Sequence, residues 1–131
     1  MLFRICWSFT ITPASPDFEK LETTIELDRP TTVRRVSVGF LQDARSWIWM
    51  PRHLEVEVST DGRRWRSFGR AEHDVPITEM DRVVVRDLEV TGKAARVRFV
   101  RVKAPTLGAI GAWHPGAGGQ SFVFVDEVVV E

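Results

Sequence analysis

The sequence predicts an all-β protein built as an antiparallel sandwich or barrel of short strands. Three observations carry that prediction. Apolar and polar residues alternate along several stretches, turn signals separate those stretches, and no window holds helical spacing long enough for a helix. Strands at regular intervals with turns between them are the signature of such folds.

The elements follow in order. Leu2 to Ile11 is rich in β-branched and aromatic residues, more β-prone than a free tail. It is expected to form a strand that closes the sandwich, within its own chain or across a two-fold axis in a swapped homodimer. Thr23 to Leu27 and Val33 to Phe40 read as two strands. Asp28-Arg29-Pro30 makes a turn between them, because proline fixes φ and withholds a ladder donor. Leu54, Val56 and Val58 alternate with Glu55, Glu57 and Ser59, a half-buried strand that runs into a Thr60-Asp61-Gly62 hairpin turn. Arg64 to Phe68 begins the return strand, with Trp65 read as core. Arg82 to Val90 and Ala95 to Lys103 are strands joined at Thr91-Gly92-Lys93. Val97 and Phe99 set one phase in the second, Val100 and Val102 the other, which suggests a bulge. In the last strand, Ser121 to Glu131, the run Phe122-Val123-Phe124-Val125 implies cover on both faces.

Composition narrows the function. At 131 residues, 44% hydrophobic and 27% charged, the chain fits one globular domain. Lys plus Arg and Asp plus Glu are equal at 18 each, which argues against a nucleic-acid partner. The arginines are spread along alternating strands and read as solvated faces. Cys6 is the only cysteine, so neither an intramolecular disulfide nor a cysteine zinc cage is possible. The apolar start is short, with no charged leader or clear cleavage site, and is not read as a signal peptide. No stretch approaches the ~20 apolar residues that span a bilayer.

Two connections are long for hairpins, Leu41 to Arg52 and the glycine-rich Pro105 to Gln120. Long ordered loops on a sandwich are where function concentrates. Trp47 and Trp49 sit two apart and point the same way if the loop is extended. With Gln42, Asp43 and Arg45 they would suit a sugar: ring faces take its C–H patches, planar polar groups its hydroxyls. Trp113 and His114 precede Gly116-Ala117-Gly118-Gly119, whose glycines permit close backbone approach. That run lacks the Lys-Ser/Thr and the spacing of a phosphate loop. The competing reading is that these aromatics cap the core or pack on a neighbouring domain. His53 and His73 have no second ligand at metal spacing. No facing carboxylate pair or nucleophile–base set is specified, so neither an enzyme nor a cofactor is expected.

The runs Leu21 to Leu27, Val33 to Phe40, Val56 to Trp65, Ala95 to Val102 and Phe124 to Val130 resemble the discoidin family, the coagulation-factor type C domains of galactose-binding-like fold. A narrower likeness, in Phe40 to Pro51 and Trp113 to Gln120, is to the C-terminal domain appended to bacterial β-hexosaminidases. The resemblance covers residues 21–131 and leaves 1–20 as an atypical N-terminal segment. It implies a discoidin-like jelly-roll sandwich that is non-catalytic and binds glycans through loops 41–52 and 105–120. The ligand-binding residues would be Gln42, Asp43, Arg45, Trp47, Trp49, Trp113 and His114. It also implies a glycoside hydrolase catalytic domain as partner and a periplasmic or secreted setting. The alternative is an accessory domain that packs on such an enzyme and binds no sugar. Residues 1–20 do not show the Asp-Gly-containing loop, followed by a tryptophan, that helps build the family's calcium site. Glu127 matches one carboxylate of that site without its partners, so no metal is expected.

Overall fold

The computed structural model describes the backbone of residues 3–10 and residues 20–131 in full. The rest of the opening segment, 1–2 and 11–19, lies outside the described residues. Six strands form: β1 (Phe3–Thr10), β2 (Lys20–Gln42), β3 (Leu54–Ser59), β4 (Arg66–Ala71), β5 (Val84–Pro105) and β6 (Phe124–Val130). Among the described residues, the helical content is one 3₁₀ turn, Ala44–Ser46. Neighbouring strands run antiparallel in the order β1-β6-β2-β5-β3-β4.

Two strands of 23 and 22 residues organise the rest. β2 and β5 pair along their whole length, from Lys20 opposite Pro105 to Gln42 opposite Val84. β6 joins β2 only over 36–41, and β3 joins β5 only over 99–103. The pair therefore carries β6 and β1 on one half and β3 and β4 on the other. It bends between the halves and folds them face to face as an antiparallel β-sandwich. One hydrophobic core lies between the layers. Val36, Val38, Phe40, Leu88 and Val128 come from the first half, and Ile25, Val56, Val58, Val100 and Val102 from the second.

The bend corrects the expected turns. Asp28-Arg29-Pro30 does not reverse the chain, since β2 continues through it. Glu26 pairs with Phe99 and Thr31 with Val97, so the residues between them bulge out of the ladder. Pro30 fits there because no ladder donor is needed. The phase slip between Val97 and Val100 lies opposite this bulge. Thr91-Gly92-Lys93 is likewise a bend inside β5, where Ala95 pairs with Val33 and Thr91 with Arg35. A bulge sharpens local bending without ending a strand.

Trp65 is not core. It is half-buried on the outer face, with the Arg101 guanidinium 4.0 Å from its ring centroid and Phe99 edge-on at 6.5 Å. The return strand begins at Arg66, so the connection before it swings over the sheet's outer surface. Gly62, at φ 76°, allows this, and a Cβ there would lie 3.3 Å from the Phe99 ring. Glu57 on that face receives Lys103 at 2.8 Å and Arg101, which together hold its carboxyl below the usual range. β6 starts at Phe124 rather than Ser121, and in the expected two-sided run Val123 and Val125 are buried while Phe122 and Phe124 are half-buried. β1 pairs with β6 of its own chain, from Phe3 opposite Val130 to Thr10 opposite Phe124.

The bend in β5 depends on a missing side chain. A Cβ on Gly92 would stand 2.6 Å from the Phe68 carbonyl oxygen, and backbone cannot swing aside as a side-chain tip can. Gly92→Ala is expected to destabilise the fold by about 1–3 kcal/mol, as overpacking does, read as a lowered denaturant midpoint.

The β3–β4 turn yields a pH expectation. Asp61 Oδ1 accepts the backbone N–H groups of Arg64 (2.9 Å) and Arg63 (2.8 Å) and the Ser59 hydroxyl (3.0 Å). These bonds, the one from Arg64 first, lower its pKa from 3.8 to about 2. A depressed carboxyl stabilises the fold above its unfolded pKa and loses that contribution as pH falls through the folded value. NMR titration of the Asp61 side chain should give a midpoint near 2. A midpoint at the ordinary 3.8 would mean the turn is open in solution.

Candidate functional site

The bend brings both ends of the β2–β5 pair to one end of the sandwich. Three connections meet there: 43–53, 72–83 and 106–123. The Arg52 N–H donates to Pro105 O at 2.9 Å, Trp49 N–H to Phe122 O at 3.0 Å, and Phe122 N–H to Trp47 O at 2.8 Å.

Three of the expected ligand residues hold these loops together instead of facing solvent. Gln42 is fully buried: its Nε2 donates to Pro76 O at 2.9 Å, and its Oε1 accepts the Met50 N–H at 3.2 Å. Trp49, 1% exposed, donates Nε1–H to Ile77 O at 2.9 Å. With Ala44 and Ile110 it forms a second small core under the loops, backed by Met80 and Leu107. His114, 4% exposed, accepts the Gly116 N–H at Nδ1 (2.8 Å), so its proton sits on Nε2 and is donated to Ala44 O at 2.7 Å. His73 repeats the device. Its Nδ1 accepts the Val75 N–H at 3.0 Å and its Nε2 contacts Pro51 O at 2.7 Å. Each histidine pins its own turn and a neighbouring loop. His53 contacts Glu55 at 3.0 Å.

The other four remain accessible. Trp47 is 37% exposed and Trp113 44% exposed. A Cβ on Gly116 would come within 2.5 Å of the Trp47 ring and one on Gly119 within 2.8 Å, so the glycine turn lies directly against the indole. Trp113 stands edge-on to Trp49 at 6.3 Å and to His114 at 5.4 Å, which fixes its base to the buried set. Asp43 Oδ2 accepts the Ser46 hydroxyl at 2.9 Å, and Arg45 lies 3.8 Å from Asp81. Among the described residues, no group of three or more His, Cys, Asp or Glu side chains is arranged to hold a metal ion.

The shared orientation expected of Trp47 and Trp49 is not found. Period-two geometry needs extended backbone, but the 3₁₀ turn ends in a left-handed Trp47 at φ 65°. One indole is thereby turned out and the other in. The segment 72–83, with Ile77 45% exposed and Asp81 facing Arg45, was not anticipated. Its length between β4 and β5 was the available signal.

No protein-family model and no curated protein matches this sequence. Among solved structures, the chain is similar to the C-terminal domain of a chitobiase from Bacteroides fragilis. The TM-score is 0.53, with 17% sequence identity over 86% of this chain. The chain spans 62% of that structure's length. At this identity the likeness concerns the fold, and it agrees with the antiparallel β-sandwich described above.

The division between buried and exposed tryptophans can be tested by stability alone. Trp49→Ala should cost about 3–5 kcal/mol, as truncating a buried large aromatic does. Trp113→Ala should cost much less. Equal losses in urea melts would show that Trp49 is not the residue joining the loops.

Proposed function

We propose that this chain is a non-catalytic carbohydrate-binding domain of discoidin-like type, of the kind appended to glycoside hydrolases. The observation that carries this reading is the pair of half-exposed tryptophans, Trp47 and Trp113, presented by two loops on one hydrogen-bonded base. Aromatic faces bind the C–H patches of sugars, while Asp43 and Arg45 beside Trp47 offer planar partners for hydroxyls. Gln42, Trp49 and His114 act as positioning residues in this reading, since their polar atoms are committed to the backbone. The similarity to a chitobiase C-terminal domain supports an accessory role.

The surface is shallow, so affinity for a monosaccharide should be weak, on the order of 0.1–1 mM. Trp47→Ala and Trp113→Ala should each weaken binding by about 1–2 kcal/mol while leaving the melting curve in place. A glycan-array screen of the chain identifies the sugar, and tryptophan fluorescence follows its titration. Variants that bind unchanged would remove the loop site. Chromogenic N-acetylhexosaminides should show no turnover above background. Turnover abolished by a single carboxylate substitution would make the chain an enzyme.

A second observation favours a packing role alongside binding. Val83 and Val85 are 58% and 54% exposed, and Val85 aligns across the sheet with Leu41 and Phe124, both half-buried. Such an apolar row suits contact with a catalytic domain.

A further inference from the structure

The end of the sandwich opposite the loops carries a charge pattern that the proposed sugar site does not use. Three pieces of chain meet there: the bend of β2, the bend of β5 and the β3–β4 turn. The bends supply Arg34, Lys93 and Arg96, and the turn supplies Arg63, Arg64 and Arg66, all exposed. Arg29, also exposed, belongs to the β2 bulge. The contacts that bring these pieces together are specific. Arg66 and Lys93 line one groove with Phe68 and Ala95. Gly92 abuts Phe68, Gly62 abuts Phe99, and Arg96 pairs in register with Thr32.

None of these cations is in an ion pair among the described residues. Cations further along the strands are paired: Arg35 with Glu131 and Glu89, Arg98 with Glu26, Arg101 and Lys103 with Glu57. At the loop end, Glu72, Asp74, Glu79 and Asp81 occupy the 72–83 connection. A chain of zero net charge thus gathers unpaired cations at the bend, while its loops hold carboxylates and cations together. Crowded unpaired guanidinium groups repel one another, and an anion relieves that repulsion.

We infer that this basic end is a second binding surface, and that it takes an acidic polysaccharide, one bearing a carboxylate or sulfate on its repeating sugars. Guanidinium forks match both groups with paired hydrogen bonds. The surroundings select the class of polyanion. Among the described residues, the large hydrophobics that are exposed, Trp47, Ile77, Val83, Val85 and Trp113, lie in the loops at the other end or where β5 leaves them. Among the described residues, the basic end therefore presents no apolar anchor of the kind a protein interface or membrane insertion uses. Arg101 occupies one face of the half-buried Trp65 ring, the aromatic on which a single-stranded base would have to stack. Asp28 and Asp61 stand among the cations. That interleaving, with zero net charge overall, suits spaced single charges better than the dense phosphates of a duplex. This surface does not depend on the loop site, and either can fail without the other.

The test measures binding of the full chain to labelled polygalacturonate and to heparin at low and high salt. Two proteins are compared with the parent: Arg63→Gln/Arg64→Gln/Arg66→Gln, and a control Arg82→Gln/Arg86→Gln where β5 leaves the loops. Binding to at least one polysaccharide is expected, weakening steadily with salt. The triple variant should lose tenfold or more in affinity with its melting curve unchanged, while the control binds as the parent does. Binding of polygalacturonate alone would assign carboxylate, and of heparin alone sulfate. Absence of binding to both at low salt, or equal losses in the control, would overturn the inference. So would tighter binding to duplex DNA or to phosphatidylserine vesicles than to either polysaccharide.

Discussion

Everything in this protein depends on the bent pairing of β2 with β5. A flat pair of this length would give a single open sheet with one face exposed. Extra residues on β2 between Glu26 and Thr31, and on β5 between Thr91 and Ala95, bend the pair and close the sheet over its own apolar face. The same bend makes each long strand serve both layers. It also returns both ends of the pair to one end of the molecule, where the long connections gather. The core, the loop site and the basic end are consequences of one irregularity in one ladder.

The loop end shows how a sandwich with a single cysteine makes an ordered surface. Loops carry backbone polar groups that must be satisfied. Here buried and half-buried side chains do it: Gln42 for Pro76 and Met50, Trp49 for Ile77, His114 for Ala44 and Gly116, His73 for Pro51 and Val75. Each links loops far apart in sequence, so the three connections are held as one layer. Trp47 and Trp113 stand on that layer, and an aromatic surface held in place loses little freedom when a ligand arrives.

The two ends differ in the kind of recognition they can support. The loop end combines exposed aromatics, paired or bonded polar groups and carboxylates, which suits a neutral polyhydroxyl surface. The bend end presents unpaired cations with no exposed aromatic beside them among the described residues. Net charge alone hides this contrast, because the unpaired cations of the bend cancel in the sum against carboxylates elsewhere in the chain.

The all-β class, the apolar faces of β2, β3, β5 and β6, and the position of the long connections are legible in the sequence, because strand burial is written locally with period two. The phase slip at Val97 to Val100 was legible for the same reason. Three things were decided only by tertiary structure. Asp28-Arg29-Pro30 and Thr91-Gly92-Lys93 have the composition of turns, yet they bend strands, because pairing on either side outweighs local preference. The outward Trp47, inward Trp49 and outer-face Trp65 could not be assigned, since burial outside regular strands depends on what other loops bring against the ring. And the arginines, scattered along the chain, become a single surface only when three separate pieces of it fold to the same end, a long-range juxtaposition that no local pattern records.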